Sequence, residues 1–144
     1  GDLKDVTGST GTAKQVLSSQ GAGNGTDWVD LPTHLESYYI SNTSTSVSPT
    51  AFMTQVTVNA EVGATTHSEL ILPTPTLAHV GLTVRVWAID DSATWRSLVS
   101  CATNIYNAGT NSTEHILITQ TTTELTCVRT DATTGVQWVV TNQY

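Results

Sequence analysis

The sequence predicts an all-β protein, and three observations carry that expectation. Thr fills 28 of the 144 positions and Ser another 13, while charged residues make up only 12%, against about 25% in an average soluble domain. Thr is β-branched and polar, which suits the half-exposed face of a pleated strand. Apolar residues recur with period two and not at sustained helical spacing. The runs are short and separated by turn-forming residues, the pattern of a sandwich or barrel. The expected form is an antiparallel β-sandwich, jelly-roll-like, over residues 51–144, behind a short Gly-rich segment and linker over 1–50.

Six of the ten glycines fall within the first 31 residues, too many for a continuous regular element. Two apolar pieces interrupt them, Gln15-Val16-Leu17 and Trp28-Val29-Asp30-Leu31, and each reads as a brief strand. A short strand is expected at Tyr38-Tyr39-Ile40. Residues 41–50 are almost all hydroxyl-bearing and read as a loop or linker.

From Ala51 the alternation is clear. Phe52, Thr54, Val56, Val58, Ala60 and Val62 share one face of a strand, and Gln55, Thr57, Asn59 and Glu61 the other. Glu69–Leu72 is a second strand, stopped by Pro73 and Pro75; 76–81 is a turn or one helical turn closed by Gly81. Leu82–Ile89 is the strongest strand, with Leu82, Val84, Val86 and Ala88 on one face. Its other face holds Thr83, Arg85, Trp87 and Ile89, so it is not simply a solvent face. Asp90-Asp91-Ser92-Ala93 forms a hairpin-like turn, and Trp95–Cys101 returns. A turn at 107–111 follows. Strands are expected at 114–119, 124–129 and 136–141, with a turn at 130–135.

The net charge is −7, with five basic residues. Nucleic-acid binding is excluded on that ground, because it needs a Lys/Arg surface to displace counterions. An anionic membrane surface is disfavoured for the same reason, and no apolar run approaches the ~18 residues of a membrane span. No signal-peptide pattern opens the chain, which starts with Gly rather than Met, as a processed chain or a fragment would. Cys101 and Cys127 fit no zinc spacing; they read as two buried thiols, or as a pair if their strands are neighbours.

Two stretches resemble a known family. Leu3-Lys4-Asp5-Val6, then Gly11, Gln15-Val16-Leu17, Ser19, Gly21, Gly23 and Trp28 resemble a segment of bacteriophage tail-fibre and related virion proteins, with Lys14 where that family often has Gly. Leu70-Ile71-Leu72-Pro73, then Val80-Gly81 through Val86, and Gly135-Val136-Gln137-Trp138-Val139-Val140 are similar to the β-rich distal module of phage fibres. There, Thr134-Gly135 replaces the usual Asp-Gly. The resemblance implies a homotrimeric virion appendage whose tip contacts a bacterial surface glycan or protein. It also implies contacts with other virion proteins, and it implies no catalysis. A covering argument points to the trimer as well: in a Gly-rich segment Val16, Leu17 and Trp28 lack cover, so they are the candidate oligomer contacts. The alternative is a purely structural virion component, such as a head decoration, head fibre or fibre collar. A depolymerising tailspike would need a long solenoid, and no 20–50-residue repeat stands out.

Candidate sites follow from residue chemistry. No Ser sits in a G-x-S-x-G motif, and the four His residues, 34, 67, 79 and 115, show no metal-ligand spacing. No catalytic residue, metal or cofactor is therefore assigned. A glycan is held by an aromatic face plus amide, carboxylate or hydroxyl groups. Trp87, Trp95 and Tyr106 are the candidate aromatics, with Asp90 and Asp91 the candidate polar partners. The plainer reading makes the two Asp turn formers and the aromatics core. Trp138, between Val136 and Val140, is assigned to packing.

Overall fold

The computed structural model describes residues 3–12, 15–19, 23–30, 35–91 and 94–144. Expectations that concern Gly1, Asp2, Lys14, Gly21, Ala22, Leu31, Pro32, His34, Ser92 and Ala93 lie outside the described residues. The chain divides into two compact units, Gly1–Thr33 and His34–Tyr144. The boundary therefore falls well before residue 50, because Tyr38-Tyr39-Ile40, Ser41 and Ser44–Ser46 belong to the large sheet.

In the first unit, strands β1 (Gln15–Ser19) and β2 (Thr26–Asp30) form an antiparallel hairpin that sets Leu17 opposite Trp28 and Val16 opposite Val29. The Trp28 ring lies directly on Gly11, where a Cβ would collide with it. Its Nε1–H donates to the Ser9 carbonyl at 2.9 Å. Trp28 thus finds partial cover inside its own unit, which weakens the covering argument for that residue. Leu17 is half-buried, and Val16 stays exposed.

The second unit holds β3 (Leu35–Ser41), β4 (Ser44–Ser46), β5 (Met53–Asn59), β6 (Ser68–Leu72), β7 (Thr83–Ala88), β8 (Ser97–Asn107), β9 (Thr110–Ile116), β10 (Thr121–Arg129) and β11 (Val136–Gln143). It is all-β; its one helical element among the described residues is the 3-10 turn Leu77–His79. Hydrogen bonds link the strands in the order β3-β5-β7-β10-β11-β8-β6-β4, with β9 also on β8. The two ends of that path, β3 and β4, are consecutive in the chain and meet at the corner Asn42-Thr43, so the sheet curls into a near-barrel.

The pairing corrects the antiparallel jelly-roll expectation. β3, β5 and β7 pair in parallel, and so do β4, β6 and β8. Parallel neighbours need a crossover between them. Here each crossover is itself a strand of the opposite layer, so the chain winds through three turns of a flattened roll. β10 and β11 then add antiparallel strands beside β7, β9 adds one beside β8, and β11 joins β8 in parallel. Ala108 and Gly109 both take positive φ, 46° and 90°, in the two-residue turn between β8 and β9, as a tight hairpin requires.

The core fills the space between the layers. Val56, Val58, Val84, Val86, Leu125, Cys127 and Trp138 from one side meet Leu70, Leu72, Val99, Cys101 and Ile105 from the other. Trp138 is fully buried, as expected, and its Nε1–H donates to the Pro73 carbonyl at 3.0 Å. Both cysteines are buried and unpaired. Burial pushes the Cys127 thiol up, with a smaller push from Cys101.

Candidate functional site

The outer face of the β3-β5-β7-β10-β11 layer carries the candidate site. Burial alternates along β5 and β7, so Thr54, Val56, Val58, Val84, Val86 and Ala88 point inward. Met53, Gln55, Thr57, Arg85 and Trp87 take the opposite face. Pairing register then decides which outer residues meet.

Two cross-strand rows result. In one, Tyr39 pairs with Thr57, Thr57 with Trp87, and Trp87 with Thr122. Thr122 and Tyr144 exchange backbone hydrogen bonds, which sets Tyr144 at the end of the same row. In the other, Ser37 pairs with Gln55, Gln55 with Arg85, and Arg85 with Glu124. Directly paired residues share a face, so both rows lie on one surface. Tyr39 is 61% exposed, Trp87 47% and Tyr144 58%.

Between the rows lies a groove of about 210 Å³ lined by Gln55, Val56, Thr57, Arg85, Trp87 and Thr122. Arg85 donates through Nε at 2.8 Å and Nη2 at 2.7 Å to Glu124 Oε1. The Glu124 carboxylate raises the affinity of that guanidinium for its proton. The Tyr144 hydroxyl also donates to Glu124 Oε1, at 3.1 Å. Burial, then this bond, moves that phenol upward. The groove therefore offers one flat aromatic, two hydroxyls, one amide and an internally neutralised ion pair. A guanidinium carries five N–H donors, and three remain beyond the two given to Glu124. Such a set supplies a stacking face together with hydrogen-bond donors and acceptors, the groups that a polyhydroxylated molecule can use.

The other sequence-predicted residues do not line this groove. Trp95 packs edge-on against His67, with centroids 5.1 Å apart. Asp90 accepts from the Asp91 N–H at 2.9 Å, and Asp91 accepts from Ser97 N–H at 2.7 Å and pairs with Arg96 at 3.7 Å. These bonds hold the chain as it passes from β7 to β8, which lie apart in the sheet order, so the passage is not the hairpin that the sequence suggested. Tyr106, 38% exposed, sits between Asn111 and Val139.

A wider cleft of about 480 Å³ runs along the β8–β9 hairpin, lined by Ile105, Asn107, Ala108, Thr110, Ser112, Glu114, His115 and Ile116. It has no exposed aromatic platform, so the Trp87 groove is the better-equipped surface. Among the described residues, no group of three His, Cys, Asp or Glu could hold a metal ion.

Sequence reasoning found Trp87 and missed its companions Gln55, Thr57, Arg85, Thr122, Tyr39 and Tyr144. One signal was visible: Arg85 and Trp87 occupy the non-core face of the strongest strand. No protein-family model, curated protein or solved structure matches the chain.

Proposed function

We propose that the chain is the distal part of a bacteriophage tail fibre, a homotrimer on the virion that recognises a bacterial surface glycan or protein during adsorption. The observation that carries the recognition role is the groove around Trp87, an exposed indole flanked by Gln55, Thr57, Arg85 and Thr122. Exposure of so large an aromatic on a sheet face suits a surface that meets a partner. The virion assignment rests on the resemblance of the motifs at 3–28 and 70–140. The proposed role is binding without catalysis, and affinity at the cell surface comes from several weak contacts acting together.

The test is adsorption of the purified chain to a panel of bacterial strains, with competition against the phages that infect them. The reading expects binding to at least one strain, protection of that strain from infection, and at least about a tenfold loss of binding in Trp87→Ala. Absence of adsorption to every strain contradicts it and favours the purely structural virion component.

A further inference from the structure

We infer that the outer face binds an extended, uncharged glycan lying across the strands, with its sugars on Tyr39, Trp87 and Tyr144. This rests on the recognition reading above and names its ligand class and the ligand's direction.

Three features on one surface support it. The aromatics lie in a single cross-strand row, in the order Tyr39–Thr57–Trp87–Thr122–Tyr144. Adjacent strands are about 4.8 Å apart, so Tyr39 and Tyr144 each stand about 10 Å from Trp87 along the row. That interval matches alternate residues of an extended oligosaccharide, with the Thr57 and Thr122 hydroxyls beneath the sugars in between. Sugar C–H faces stack on aromatic rings, whose faces carry negative charge.

The second feature is the electrostatics. Arg85 is the one cation lining the groove among the described residues, and Glu124 neutralises it. The chain carries a net charge of −7, so a uronic-acid or phosphate-bearing polymer meets repulsion without a compensating free cation. The third is rigidity. Tyr39, Trp87 and their neighbours stand on mutually hydrogen-bonded strands, so little conformational entropy is lost when a ligand docks.

The test is calorimetric titration of the full chain with glucose, galactose, mannose and N-acetylglucosamine oligosaccharides from monosaccharide to hexasaccharide. Polygalacturonate fragments of equal length serve as the anionic comparison. The expected result is binding of at least one uncharged series, with affinity rising through the pentasaccharide and then levelling. Trp87→Ala should lower that affinity at least about tenfold, and Tyr39→Ala or Tyr144→Ala should shorten the length at which it levels. These positions are exposed, and unchanged thermal unfolding of each variant confirms that folding is intact. Equal or tighter binding of polygalacturonate overturns the inference, as does affinity independent of length. Adsorption to cells without binding of any uncharged series overturns the inference but leaves the recognition reading standing. Oligosaccharide binding without cell adsorption overturns the recognition reading and leaves the glycan row standing.

Discussion

Arg85 and Glu124 face each other across β7 and β10, and two guanidinium N–H groups converge on a single carboxylate oxygen at 2.8 and 2.7 Å. The pair lies beside Trp87 and makes a polar but electrically neutral floor. Glu124→Gln keeps the shape and removes the neutralising charge. The variant should bind polygalacturonate fragments about fivefold more tightly than the parent, while uncharged oligosaccharides change little. Titration with both series checks it. Unchanged discrimination would show that the ion pair plays no part in selecting ligands.

Trp138 anchors the core. It is fully buried between the layers, and its indole N–H ends on the Pro73 carbonyl, which also accepts from Cys101 Sγ at 3.4 Å. Trp138→Ala should lower unfolding free energy by about 3–5 kcal/mol. Trp138→Phe should cost less, about 1–3 kcal/mol, because packing is partly kept while the hydrogen bond is lost. Urea unfolding measures both; equal losses would deny a role to the ring packing that Phe retains.

Asn42 turns the corner from β3 to β4 with φ of 52°. Its side-chain Oδ1 accepts from Glu61 N–H at 3.2 Å, and its own N–H donates to Ser68 Oγ at 2.6 Å. Asn42→Ala places a methyl in left-handed backbone and removes the Glu61 bond, for an expected loss of about 1–3 kcal/mol. Asn42→Gly relieves the backbone and should cost less. Denaturant midpoints at constant slope decide between them.

His115 lies half-buried in the hairpin cleft, with Gln143 Nε2 at 2.9 Å from its Nε2 and Asn107 Nδ2 at 3.4 Å from its Nδ1. Burial holds its pKa below the ordinary 6.5. In the window between the folded and unfolded values, the unfolded chain binds more protons, so stability rises with pH there. Stability should therefore decline as pH falls through 6.5 and stop declining on this account below the folded value. Protonation makes both ring nitrogens donors, and the facing amides would have to turn their oxygens inward. His115→Gln should flatten the unfolding midpoint between pH 7 and pH 5. A slope identical to the parent's assigns the effect elsewhere.

Most strands were legible from sequence because alternation survives any pairing scheme. Val56, Val58, Val84 and Val86 point inward whether their neighbours run parallel or antiparallel. The winding was not legible. Leu35 to Met53 is 18 residues and Met53 to Thr83 is 30; Ser44 to Glu69 is 25 and Glu69 to Leu98 is 29. Such unequal turns leave no fixed period to detect. β4 was hidden for a different reason: three hydroxyl residues at a sheet edge resemble a linker. The site suffered from the same blindness to register. Trp87 could be singled out on its own strand, but Tyr39 and Tyr144 join it only through parallel pairing in the first case and a chain-end pairing with Thr122 in the second.

The trimer has its own check. Light scattering on a size-exclusion column should give three times the 15.3 kDa of one chain. A folded monomer would remove self-trimerisation and favour a subunit that takes its symmetry from a virion lattice.

The most direct measurement is amide and indole chemical-shift mapping of the full chain during titration with the tightest-binding uncharged oligosaccharide. The account predicts shifts concentrated on the Trp87 indole and on Tyr39, Thr57, Thr122 and Tyr144, with the β8–β9 cleft around His115 unmoved. Shifts confined to that cleft, or none at saturating ligand, would contradict it.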